Sequence, residues 1–206
     1  KSSKSDAANI KMIFRAILIL FVFMCSSCDK KRIHNTNLNE FQKQLNASFK
    51  DATTTPFNNS DLNRFSGLDF FQIDSNYIVK AEIIPIINSE KIKLSTSTGS
   101  KLNVIKYAEL IFIINKQEYK LFAFKYIDSN DYPPNHLFVP FLDNTNGDET
   151  YGGGRYLDLF QDSTGKIIID FNNSYNPLCA YNESYSCPIV PKENFLEISI
   201  KAGVKY

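Results

Sequence analysis

The sequence predicts a mainly β domain, an antiparallel sandwich or partly open barrel carrying one N-terminal amphipathic helix. Three observations predict it. Apolar runs of strand length recur through the second two thirds of the chain, bounded by turn residues and without helical patterns between them. The composition is rich in residues that suit pleated surfaces, with 17 Phe, 11 Tyr and abundant Ile but no Trp. Helical spacing shows clearly in one place, near residue 40.

There, Leu38, Phe41, Leu45 and Phe49 recur every three or four residues. Asn37 or Asn39 offers an N-cap, and Thr53-Thr54-Thr55-Pro56 ends the pattern. The polar face is mixed rather than basic, which fits a strap packed on the domain better than a membrane helix. A polar loop from Pro56 to Asp61 and a short helical turn from Leu62 to Gly67 follow. Strands are then expected at Tyr77 to Ile86, Lys91 to Ser97, Leu102 to Tyr107, Glu109 to Ile114, Glu118 to Tyr126, His136 to Leu142 and Lys166 to Phe171. Leu196 to Lys201 alternates as a last, half-buried strand.

No internal repeat or linker divides these elements, so residues 38–206 read as a single domain. What precedes them reads as an export leader. Lys1 rather than Met opens the chain, so residues 1–11 read as upstream or cloning-derived sequence and Met12 as the initiator. Residues 12–27 have signal-peptide grammar: a basic start at Arg15, nine apolar residues from Ala16 to Met24, then Cys25-Ser26-Ser27. The apolar stretch is shorter than the roughly 20 residues needed to span a bilayer. The arrangement resembles a bacterial lipoprotein signal, with Cys28 at the lipid-modified position and Cys25 where that pattern has Leu. Residues 28–37 form a polar tether. The expected location is therefore the bacterial cell envelope, membrane-anchored through a lipid on Cys28 and facing the periplasm, because the acidic run that marks surface export in some lipoproteins does not follow the cysteine.

Charge narrows the partners. The chain holds 23 Lys and Arg against 22 Asp and Glu. Setting aside residues 1–27, with Lys1, Lys4, Lys11, Arg15 and Asp6, leaves 19 and 21, a net charge of −2. A near-neutral domain has no global electrostatic basis for binding nucleic acid. The expected partner is an unknown small molecule or envelope component.

Residues 151–194 concentrate the chemistry. Gly152-Gly153-Gly154 precedes Arg155-Tyr156-Leu157-Asp158, and Asp170-Phe171-Asn172, Tyr175-Asn176-Pro177, Cys179-Ala180-Tyr181 and Glu193-Asn194 follow. These pieces, with Phe65-Ser66-Gly67-Leu68-Asp69-Phe70-Phe71 and Leu137-Phe138-Val139-Pro140-Phe141 upstream, resemble the bacterial domain of unknown function 1684 family from about Leu38 to Gly203. The resemblance implies a fold neighbourhood and an exported lipoprotein, and it implies no catalytic residue. Val190 stands where many relatives run on in prolines, which implies a less rigid loop after Cys187.

Arg155 offers a planar fork for an anion, or it closes an internal salt bridge with Asp158 or Asp170. Cys179 and Cys187, seven residues apart in an exported chain, read first as a disulfide. A metal would need His136 and a carboxylate in addition, and no cofactor or metal is expected. Asp143-Asn144-Thr145-Asn146-Gly147-Asp148-Glu149 lacks the twelfth-position acid of a calcium loop and reads as a polar turn. The ligand-site candidates are thus Arg155, Tyr156, Asp158, Asp170, Asn172, Tyr175, Asn176, Tyr181, Glu193 and Asn194. A ligand-binding or interaction module is the first functional expectation. The alternative is a hydrolase using Asp158, Asp170 and Glu193, with or without a metal or cysteine.

Overall fold

The computed structural model describes residues 38–206 apart from 90, 128–130 and 163. The signal peptide, the tether and the lipidation of Cys28 expected from the sequence fall outside the described residues.

Helix α1, Glu40–Lys50, starts where Asn39 caps it: its side chain accepts the Gln42 N–H at 2.9 Å, and Gln42 reaches back to the Asn39 N–H. Its apolar stripe packs Phe49 with Leu68, Phe70 and Val204, flanked by Leu38 and Leu45, so the helix is the strap its spacing predicts. A single turn, α2, spans Asn59–Arg64.

Eight strands follow: β1 Ile78–Pro85, β2 Lys91–Ser95, β3 Lys101–Ile114, β4 Gln117–Tyr126, β5 His136–Asp143, β6 Arg155–Phe160, β7 Ile167–Asp170 and β8 Phe195–Leu196. They join in the order β6-β5-β4-β3-β1-β7, with β2 added to β3 and β8 to β5. All pairs are antiparallel except β5 with β8. The end strands β6 and β7 come close without pairing, so the sheet curls into a nearly closed barrel.

β3 is the hub. The two strands expected at Leu102 to Tyr107 and Glu109 to Ile114 are one, interrupted by a bulge between Lys106 and Ala108. The extra residue changes which face the even-numbered positions occupy. Val104 pairs with Tyr126 and packs on the outer face, whereas Leu110 pairs with Leu121 and points into the barrel. Two apolar layers result. The barrel interior holds Leu110, Phe112, Leu121, Leu137, Val139, Leu157, Ile169 and Phe171, and the outer face of β4, β5 and β6 carries Phe124, Phe138 and Tyr156.

Two expectations change. Residues 155–160 form strand β6, which is not among the strands expected from the sequence. The strand expected at Leu196 to Lys201 shrinks to Phe195–Leu196. The rest of that segment does keep its alternate apolar residues inward, with Ile200, Ala202 and Val204 buried. Its carbonyls, however, meet a side chain instead of a neighbouring strand, as described next.

Candidate functional site

β6 sends its side chains alternately to the two faces. Arg155, Leu157 and Leu159 are buried on the inner side. The Arg155 guanidinium donates to Asp143 Oδ2 at 2.5 Å and to the carbonyls of Ala202 at 2.5 Å and Ile200 at 2.8 Å. Both members of the Arg155–Asp143 ion pair are 0% exposed. This corrects two expectations: the partner of Arg155 is Asp143 rather than Asp158 or Asp170, and no face of the guanidinium is open to a ligand. Burial pulls the guanidinium below its usual range while Asp143 pushes it back up. The pair clamps the extended C-terminal segment. Asp143 also accepts the Thr145 N–H at 2.6 Å, so the stretch read as a polar turn is one, built around an acid turned inward.

Gly154 makes the entry possible. Its φ is +90°, and a Cβ there would lie 2.6 Å from the Phe141 carbonyl oxygen and 2.7 Å from Val190.

Most of the other polar residues of the block also hold loops. Asp170 accepts the Asn172 N–H at 3.0 Å and its side-chain amide at 2.8 Å. Asn172, 1% exposed, exchanges two bonds of 3.0 Å with the Asp74 backbone. Asn176 donates to the Tyr181 hydroxyl at 3.0 Å, and Tyr181 packs edge-on against Phe49 under the helical strap. Glu193 forms a surface ion pair with Lys106 at 2.8 Å, which holds its carboxyl below the usual range. Asn194 stands in for a missing stretch of ladder. Pro140 has no N–H to offer β4, and the Asn194 amide instead accepts the Phe122 N–H at 2.8 Å and donates to the Phe122 and Pro140 carbonyls at 2.9 and 2.7 Å.

The outer face gathers the rest. Phe138 lies opposite Asp158 in the β5–β6 ladder, so His136, two residues earlier on the same face, is a diagonal neighbour of Asp158. His136 Nε2 meets Asp158 Oδ1 at 2.6 Å. The other carboxylate oxygen accepts the Tyr175 hydroxyl at 2.6 Å. Tyr175 is aimed there by a backbone bridge to Tyr156, with N–H to O distances of 2.8 and 3.1 Å. Tyr156 in turn donates its hydroxyl to the Pro188 carbonyl. His136 is 2% exposed and Asp158 26%, so one edge of the relay reaches solvent. With Asp158 ionised, Nε2 carries the shared proton and Nδ1 is left to accept one. Burial, and then the Asp158 charge, push the Tyr175 phenol well above its ordinary range, which keeps it a donor.

Tyr132 covers this relay. Its ring stacks on His136 at 4.2 Å and on Tyr126 at 4.8 Å, while those two rings lie 6.0 Å apart and within 7° of parallel. One face of Tyr132 therefore spans both, and the residue as a whole is 42% exposed. Beside it opens a cleft of about 340 Å³ whose lining includes Tyr126, Tyr132, Thr96, Ser100, Lys101 and Ser186. Four short contacts of 2.7–2.8 Å link the hydroxyls of Thr96, Thr98, Ser100 and Ser186. Four hydroxyl protons suffice for those four contacts, so the cluster pins the β2–β3 turn to the Ser186 loop. His136 lines a separate hollow of about 170 Å³ with Lys125, Tyr126, Tyr132, Pro133 and Pro134, and larger hollows of about 440 Å³ and about 530 Å³ lie beside Phe160 and Ile168 and beside Tyr77 and Lys201.

Of the ten ligand-site candidates, then, Tyr156, Asp158 and Tyr175 converge. The sequence reading missed Tyr126 and Tyr132, and it weighed His136 with a metal rather than with Asp158. Periodicity on β5 and β6 could have placed His136 and Asp158 on one face; no local signal points to Tyr132. Cys179 and Cys187 are both thiols in this structure, in contact with one another. Among the described residues no group of three or more His, Cys, Asp or Glu is placed to hold a metal.

The comparisons add kinship. No curated protein matches the chain. The solution structure of an uncharacterised protein of Haloarcula marismortui is similar at 32% identity, covering 80% of this chain and 90% of that one, with a TM-score of 0.64. Residues 63–205 match the model of the family described as Protein of unknown function (DUF1684), and the chain belongs to that family.

Proposed function

We propose that the domain is a ligand-binding module whose cleft beside Tyr132 takes a small polyhydroxylated ligand of the saccharide type. The arrangement of Tyr132 carries this reading. Its ring is stacked on His136 and Tyr126, and Thr96, Ser100, Ser186 and Lys101 add hydroxyls and an ammonium to the lining of the same cleft. An aromatic plate suits the C–H face of a sugar ring, and the hydroxyl wall suits its edge. The cleft volume matches the lower part of the range for small-ligand sites. The chain is held at the bacterial cell envelope by a lipid on Cys28 and faces the periplasm. Labelled palmitate should enter the chain in cells and should be lost in Cys28→Ala.

The binding test is two-dimensional NMR of the chain titrated with glucose, N-acetylglucosamine and their short oligomers. Shifts centred on Tyr126, Tyr132 and Ser186, abolished by Tyr132→Ala in a folded protein, support the reading. Shifts confined to the hollows beside Phe160 or Tyr77, or none with any sugar, overturn it.

A second reading has its own observation. The 2.6 Å contact between His136 and Asp158, braced by Tyr175, is the arrangement of an oriented acid–base pair. It favours hydrolysis of a bound glycoside or ester, with His136 as base. Turnover of chromogenic glycosides and esters that disappears in His136→Gln would establish that reading.

A further inference from the structure

Cys179 and Cys187 bracket a short loop that ends between Ser186 and Pro188, two residues that line the cleft. Cys187 is buried, 8% exposed, while Cys179 is half-buried. The Cys187 sulfur is not packed as a plain apolar atom. It accepts the Cys179 N–H at 3.1 Å. Its own backbone is fixed on both sides: the Cys187 N–H donates to Ser97 Oγ at 3.1 Å, and its carbonyl accepts the Ser97 N–H at 2.8 Å. A half-buried cysteine therefore sits beside a buried, anchored one whose sulfur already accepts a backbone N–H.

We infer that Cys179 and Cys187 form a reversible thiol–disulfide pair, with Cys179 the entry thiol and Cys187 the resolving one. The Cys179 thiolate attacks an exogenous disulfide, forming a mixed disulfide and releasing one thiolate. Cys187 then gives up its proton to solvent and attacks the Cys179 sulfur, displacing the second thiolate. Two protein thiols are oxidised and one disulfide is reduced to two thiols. Burial pushes the Cys187 thiol up to about 12, which suits it to the second, intramolecular step rather than the first.

The bond closes a short loop beside the cleft. Ser186 lines the cleft, and the Pro188 carbonyl receives the Tyr156 hydroxyl, so oxidation stiffens one wall of the site. That coupling rests on the cleft reading above; the thiol chemistry does not.

The test is incubation of the full chain in glutathione buffers of graded poise, followed by unreduced peptide mapping by mass spectrometry and thermal melts. The expected result is a Cys179–Cys187 cross-linked peptide two hydrogens lighter, reversed by dithiothreitol, with a higher Tm in the oxidised form. Cys187→Ser should trap a glutathione adduct on Cys179, and Cys179→Ser should leave Cys187 unmodified. Thiols that stay free in the most oxidising buffer, or a stable glutathione adduct in the unsubstituted chain, would overturn the assignment. Saccharide titration of both redox forms separates the two readings. Equal binding by both overturns the coupling, and a cross-link with no binding by either overturns the cleft while the pair stands.

Discussion

Two polar networks leave strand β6 from opposite faces, three residues apart. Arg155 points inward to Asp143 and the carbonyls of Ile200 and Ala202, with both charged groups sealed from water. Asp158 points outward to His136 and Tyr175 and remains 26% exposed. Both are ion or hydrogen-bond clusters of short distance, and their chemistry differs because of burial. A fully buried pair cannot exchange partners with a ligand without leaving a naked charge in a low-dielectric interior, so it acts as a clamp. A carboxylate at a solvent edge can change partners or pass a proton, so it can act as a site. Short contacts alone do not mark function.

The largest effect expected is alkaline. Tyr126, Tyr156 and Tyr175 on the outer face, and Tyr181 under α1, are all raised above the ordinary phenol range, with burial the first cause. A raised folded-state pKa contributes stability that is fully present below the unfolded value of about 10 and is lost as pH climbs toward the folded one. Unfolding should therefore set in above about pH 10, with tyrosinate absorbance and loss of circular dichroism rising together. Stepwise tyrosinate formation in a folded protein would show the outer face to be far more open than described.

Next is the clamp. Arg155→Ala strands Asp143 in the core and releases two carbonyls, at a cost of about 3–5 kcal/mol by urea denaturation. Arg155→Lys should recover little of this, because a point charge cannot fork between Asp143 and the C-terminal carbonyls. A loss below about 1 kcal/mol would erase the contrast between the two networks.

Gly154→Ala forces a side chain into positive φ and against the Phe141 carbonyl. It should cost about 1–3 kcal/mol while leaving the outer relay in place, read as unchanged His136 ring resonances. Smallest is Tyr175→Phe, which removes one bond to a partly hydrated carboxylate, at about 1 kcal/mol. Its sharper readout is the His136 ring resonances by NMR, which should shift if Asp158, Tyr175 and His136 behave as one unit. Unchanged ring resonances would leave the relay a set of independent contacts.

Much of the fold was legible because strands and helices announce themselves by local spacing. The α1 stripe, the N-cap choice between Asn37 and Asn39, and the β1 to β5 runs needed nothing beyond neighbours in sequence. The bulge was half legible: the reading broke β3 at the right place but saw two strands, since only the β4 register shows that one residue is extra. The site was less legible. Arg155 read as either a fork for an anion or half of an internal salt bridge, and it proved the largest of the fully buried side chains described. Its true partner, Asp143, lay in a stretch read as a polar turn. Asn194 looked like a ligand group and instead repairs a ladder that Pro140 interrupts.

By itself the sequence determined the mainly β class, the helical strap, the family and the block in which Tyr156, Asp158 and Tyr175 occur. These follow from periodicities and motifs that are short in sequence. Only the tertiary structure decided which charges face water, that the last apolar alternation is a clamped segment rather than a strand, and that His136, Tyr126 and Tyr132 join Asp158. The reason is physical: the face a residue occupies is local, but whether that face is covered depends on segments tens of residues away that fold back over it.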